Sequence, residues 1–134
     1  MGGATASAPP PGAQAYGAAP AAGGLTENVA GALCYILGLL TGVLFLALAP
    51  YNQSKFVRFH AFQAIFWHIA WIGLWIVNMI ISMAMPWGLR LISSLFWLAI
   101  ALGGLFVWLF LMYKAYNNER FKLPIIGDIA EKQA

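Results

Sequence analysis

FVRFHAFQAIFWH, residues Phe56–His68, packs one arginine, two histidines and a glutamine among four phenylalanines and a tryptophan. On either side the chain turns too apolar for water. Downstream, no Asp, Glu, Lys or Arg occurs from Phe59 to Met85. A bilayer core is about 30 Å thick and takes about 20 apolar residues of helix to cross. The stretch therefore reads as the entry of a membrane-spanning helix. Ser54 is placed to cap its first turn, Lys55 and Arg58 lie at headgroup level, and Pro86 closes it.

Two further apolar segments reach the same length. Asn28–Ala49 is preceded by Thr26 as a cap and by Glu27, which suits the positive end of a helix dipole, and it stops at Pro50. Leu91–Tyr113 carries no charge and meets Asn117 and Asn118, residues that tolerate a left-handed stop. Pro86–Arg90 is short enough to make the second and third segments an antiparallel hairpin. The expected fold is all-α, an integral membrane protein of three transmembrane helices over residues 26–116. Residues 117–134 form a C-terminal tail. In it Pro124 starts a half-turn or short helix that would rest Ile125, Ile126 and Ile129 at the interface and turn Asp128, Glu131 and Lys132 toward water, but a merely tethered surface segment is the commoner form of such a tail.

Composition agrees with a lipid solvent. Of the 134 residues 62% are hydrophobic and 8% charged, against roughly 25% charged in soluble domains. Residues 1–25 are almost wholly Ala, Gly, Pro and small polar side chains and are expected to be disordered, with too little apolar surface to offset ordering entropy. They lack the basic start and short apolar core of a secretory signal. With one cysteine, Cys34, an internal disulfide is excluded. The cations form no long stripe, so nucleic acid is not an expected partner.

Orientation follows from the positive-inside rule. Lys55 and Arg58 follow the first segment, and Lys114, Arg120, Lys122 and Lys132 follow the third, against Arg90 alone on the opposite side. Three crossings then place the C-terminus in the cytoplasm and the uncharged N-terminal tail outside.

At about 100° per residue, His60, Gln63, Trp67, Trp71 and Asn78 share one stripe of the second helix. Such a stripe is either a polar seam with a function or interhelical hydrogen bonding, and the second is the commoner use. His60 and His68 are eight residues, about 12 Å, apart and do not share a metal ion. Met79, Met83 and Met85 with Cys34 are a soft-ligand set by type, but methionine in an apolar run is ordinary packing. No carboxylate lies in a span and no catalytic motif is present. The chain is expected to be no enzyme and to need no cofactor or metal. Gly38 and Gly42 form a small-xxx-small match, and Gly103 with Gly104 interrupts the third segment. Close helix packing through these glycines is expected.

PYNQSKFVRFHAFQAI (Pro50–Ile65) and YNNERFKLPIIGDIAEK (Tyr116–Lys132) resemble a widespread family of small prokaryotic membrane proteins without an assigned function, similar to the Tic-twenty-type component of the chloroplast inner-envelope import machinery. The resemblance spans roughly Thr26–Lys132 and is most specific at Arg58–Gln63 and Leu123–Gly127. It implies a helical membrane domain carrying both motifs on one bilayer face, and it brings no catalytic residues. With both motifs on the side the positive-inside count makes cytoplasmic, Lys55, Arg58, His60, Gln63, Arg120 and Lys122 would form a cytoplasmic rim that docks a partner or anionic lipid, unless its cations are ordinary topology determinants, which is their commoner role. The reading that follows is a non-enzymatic assembly, scaffold or import-related subunit in the bilayer, with a second copy or another membrane protein as partner. The alternative is a small oligomeric channel or carrier.

Overall fold

The computed structural model describes residues 25–134. The tail read as disordered lies, but for its last residue, outside the described residues. Five α-helices follow one another: α1 (Glu27–Ile36), α2 (Leu39–Ala47), α3 (Lys55–Ala84), α4 (Trp87–Tyr116) and α5 (Ile126–Gln133), with a 3-10 turn at Tyr51–Gln53.

α3 and α4 are 30 residues each, about 45 Å long, and both are apolar and long enough to cross a membrane. The Ser54 side chain accepts from Val57 N–H and caps α3 as expected. Pro86 separates the pair, and the turn is tighter than Pro86–Arg90: α4 already begins at Trp87. Asn117 ends α4, and Asn118 takes the left-handed conformation at φ 64°.

The first apolar segment differs from the expectation. In place of one helix over Asn28–Ala49 there are two, of 10 and 9 residues, broken at Gly38, whose φ is +54°. The contacts along α3 show the chain going in and coming back. In α1, Gly31 meets Phe56 and His60, and Gly38 then lies on His68. In α2, Gly42 has returned to Ala61 and Ile65, and Phe45 stacks edge-on with Tyr51, ring centroids 5.2 Å apart. Leu25 N–H donates to the Tyr51 hydroxyl at 3.3 Å, closing the mouth of the hairpin. Each arm is about 15 Å long, half a bilayer. Leu25 therefore lies at the same end as the C-terminal segment, and not at the opposite end where a straight crossing would put it. The break leaves carbonyls without helical partners. Thr41 Oγ1 donates to Cys34 O at 2.9 Å and Trp108 Nε1 to Tyr35 O at 2.6 Å, which makes a helix end tolerable at membrane depth.

The hairpin is a wedge. α1 packs on both α3 and α4, α2 packs on α3, and α3 and α4 scarcely touch each other. Asn28 Nδ2 reaches Tyr116 O at 2.9 Å, tying α1 to the end of α4. Beyond the tip a cavity of about 290 Å³ is edged by His68, Trp71 and Trp108. From there onward only α3 and α4 continue, and no residue from Ile65 to Phe110 is buried.

The glycine pairs do not meet. Gly38 and Gly42 face α3, a side chain at Gly104 would collide with the Trp71 ring, and Gly103 opens onto free space. Close packing thus runs from glycine to aromatic and aliphatic side chains of α3, because Gly38, Gly42 and Gly104 all turn toward that helix and not toward one another.

Candidate functional site: a polar clasp beneath the C-terminal strap

After α4 the chain runs extended from Glu119 to Leu123 across the first turns of α3 and ends in α5, which packs on α3. An extended strap carries unpaired peptide groups, and these must find partners if it is to stay down. His60 and Gln63 supply them. They lie three residues apart on one face of α3, both fully buried, and they point at the strap.

The hydrogen bonding fixes every proton. His60 Nε2 is 3.0 Å from Glu119 O. A carbonyl only accepts, so Nε2 carries the hydrogen and Nδ1 keeps its lone pair. The Tyr35 hydroxyl, 2.9 Å away, donates to Nδ1. Gln63 Nε2 gives one hydrogen to Tyr35 Oη and the other to Phe121 O, both at 2.9 Å, and Leu123 N–H donates to Gln63 Oε1 at 3.0 Å. Three side chains from α1 and α3 therefore hold three strap residues. Phe56, Phe59 and Tyr35 pack edgewise around the imidazole with ring centroids at 4.6, 5.1 and 5.7 Å. The surroundings are dry, and a dry network that is fully satisfied is rigid.

Around the clasp the predicted rim is largely occupied by the chain itself. Arg58 donates to Asn52 O and Gln133 O at 3.3 and 3.1 Å, a cation at the carbonyl end of α5. Arg120 lies over the Phe59 ring at 4.9 Å and within 3.8 Å of Glu131. Lys122 bonds Glu131 at 2.9 Å and lies 3.3 Å from Asp128. Those two carboxylates, Glu131 first, raise the Lys122 ammonium above the usual lysine range. Lys55 is exposed. The strap brings His60, Gln63, Arg120 and Lys122 into one neighbourhood, but it turns the two buried side chains inward, away from any partner. Gly127 allows this closeness: a side chain there would run into the Lys122 backbone.

Sequence reading missed Tyr35 and Trp108. A lone phenol in an apolar run was the available signal, because a buried hydroxyl needs a partner. Among the described residues no three His, Cys, Asp or Glu side chains converge as metal ligands would.

The clasp and the strap both lie within residues 25–130, which match the profile of the MamF/MmsF family, described as the magnetosome magnetite crystal formation protein family. The chain belongs to that family. A UPF0132 membrane protein of Methanocaldococcus jannaschii is 48% identical over 109 residues, covering 81% of this chain and 89% of the relative. Another, from Archaeoglobus fulgidus, is 44% identical over 109 residues, covering 81% and 96%. These are small membrane proteins, as the Arg58–Gln63 and Leu123–Gly127 blocks implied. Neither carries a chloroplast-import designation. No solved structure matches the chain.

Proposed function

We propose that this MamF/MmsF-family protein is a non-enzymatic scaffold subunit whose strap and α5 form a docking cap on the cytoplasmic face. α3 and α4 cross the bilayer, while α1 and α2 enter and leave by the cytoplasmic side. The single observation that carries the reading is the use of the buried polar groups. Tyr35, His60 and Gln63 commit their hydrogen-bonding atoms to holding the strap, which leaves them no part in turnover and gives the cap a fixed shape.

The charge distribution supports the orientation. Six of the seven Lys and Arg residues lie at the end that holds the strap, and this holds whether the first segment crosses or returns. Leu25 and the C-terminal α5 are then both on the cytoplasmic side. The family's description attaches it to magnetite crystal formation. For this chain the support is for a membrane-organising part in such an assembly, since its acidic side chains Glu119, Asp128 and Glu131 are engaged by its own lysines and arginine.

Two measurements test this. In a Cys34→Ser background, single cysteines at Thr26 and Gln133 should react with an impermeant maleimide from the same face of sealed vesicles; labelling from opposite faces overturns the return of the hairpin. Crosslinking in native membranes should capture a partner through the wild-type cap and lose it in Gln63→Leu, with insertion unchanged. Solute flux through proteoliposomes would instead favour the oligomeric channel.

A further inference from the structure

The far end of the α3–α4 pair carries one charge and nothing of this chain to balance it. The four acidic residues are Glu27, Glu119, Asp128 and Glu131, and all lie at the strap end. Arg90, in the first turn of α4, gives one hydrogen bond to Met85 O at 3.2 Å, leaving most of its five N–H donors uncommitted.

Beside it a groove of about 540 Å³ is lined by Trp75, Asn78, Met79, Ser82, Met83 and Arg90. Among the described residues neither the Asn78 amide nor the Ser82 hydroxyl has a hydrogen-bond partner. Ser82 lies near the end of α3, and Asn78 is one turn, about 6 Å, deeper. Trp75 follows below. From the membrane surface inward the polar lining therefore passes from guanidinium to hydroxyl to amide to indole, with the Met83 and Met79 thioethers level with the hydroxyl and the amide. An unpaired amide facing hydrocarbon is costly, so the occupant must present polar atoms at that depth and an anion above them.

We propose that this groove binds one anionic phospholipid, with its phosphate on Arg90, its glycerol-region oxygens on Ser82 and Asn78, and one chain along Trp75 and Met79. The order of the polar groups in the lining is that of the lipid, and the methionines beside them give its chain an apolar wall. A free phosphate would meet Arg90 but leave Asn78 and the apolar wall unused. The site rests on α3 and α4 crossing the bilayer, and is independent of the docking cap.

Native mass spectrometry of protein released from bilayers of phosphatidylcholine doped with phosphatidylglycerol tests it. The wild type should retain one phosphatidylglycerol per chain in preference to phosphatidylcholine. Arg90→Gln should weaken that retention about fivefold, the loss of one cation's attraction to an anionic lipid. Asn78→Leu should weaken it by a smaller factor, and Lys132→Gln, the same charge change at the other end, should leave it unaltered. Equal retention of the two lipids overturns the proposal, as does an Arg90→Gln protein that holds phosphatidylglycerol as well as wild type. Displacement of the lipid by inorganic phosphate would mark a simple anion site and also overturns it. Failure of the crossing itself would show separately: in the same Cys34→Ser background, a single cysteine at Gly88, between α3 and the body of α4, should label from the face opposite to Gln133, and labelling from the same face would mean that the pair does not cross.

Discussion

On the strap side of His68, α3 is enclosed by the hairpin, the strap and α5; on the other side it has only α4 for company. The enclosed half holds every buried residue of the described chain, from Ala30 to Ala64 and from Leu111 to Ala130. The bare half exposes Met83 and Phe106 at 75% and Phe96 at 68%. In water an apolar surface of that extent would aggregate. In a bilayer it costs nothing, because lipid tails are as apolar as the side chains. The difference teaches where this chain spends its specificity. The enclosed half is held by fixed hydrogen bonds and by glycines that admit close approach, so its shape belongs to the protein. The bare half is completed by what surrounds it.

The strongest way to break that contrast is at the hairpin tip. Gly38→Val forces a β-branched residue to φ +54° and drives its side chain into the His68 ring. Backbone strain and overpacking together should cost about 4 kcal/mol, read as lost resistance to unfolding in detergent. A variant as stable as wild type would mean that the chain does not turn at residue 38.

Next in size is the clasp. Gln63→Leu strands Leu123 N–H and Phe121 O in a dry site, at a cost of about 3 kcal/mol for two unsatisfied backbone groups. The strap should lift, and trypsin should cut at Arg120 and Lys122 at a rate well above wild type. Unchanged cleavage would show that the salt bridges of α5 hold the strap without the clasp.

Much of the enclosed half was open to sequence reading, and its decisive feature was not. Ser54, Pro86 and the Asn117–Asn118 pair announce their helix ends through local backbone chemistry, which needs no knowledge of neighbours. The stripe of His60, Gln63, Trp67 and Trp71 was likewise readable from helical periodicity, and it does face the packed side. The turn at Gly38 was hidden because hydropathy counts residues and not direction. An apolar run of 22 residues is long enough to cross once, or to go halfway and return. Gly38 and Thr41, a residue free to take positive φ and a hydroxyl three positions on to satisfy a freed carbonyl, were the local clues. The strap was illegible for another reason. Its partners are 58 to 60 residues away, and Glu119–Leu123 has no periodicity of its own, so nothing local marks it as covered.

A smaller effect sharpens the account of the hairpin. Trp108→Phe keeps the ring and removes the Nε1–H that donates to Tyr35 O. Hydrogen bonds between membrane helices are worth about 1 kcal/mol, so a loss of that size is expected in an unfolding titration. A much larger loss would mean that the indole also holds α1 in place by shape, as the wedge between α3 and α4.

The smallest expected change is in the bare half, and it tests the other side of the comparison. Leu95 is 69% exposed on α4. With lipid as its neighbour, Leu95→Ala removes no packed contact and should alter stability by less than about 0.5 kcal/mol, as surface substitutions do. The same substitution in a buried core position costs 2 kcal/mol or more, on the order seen for leucine truncations that leave a cavity. A Leu95→Ala protein that behaves like the core case would show that another protein surface, and not lipid, covers this face. The purified chain and the chain in its native membrane should be compared for that reason: a cost present only in the native membrane would identify the cover as a partner that purification removes.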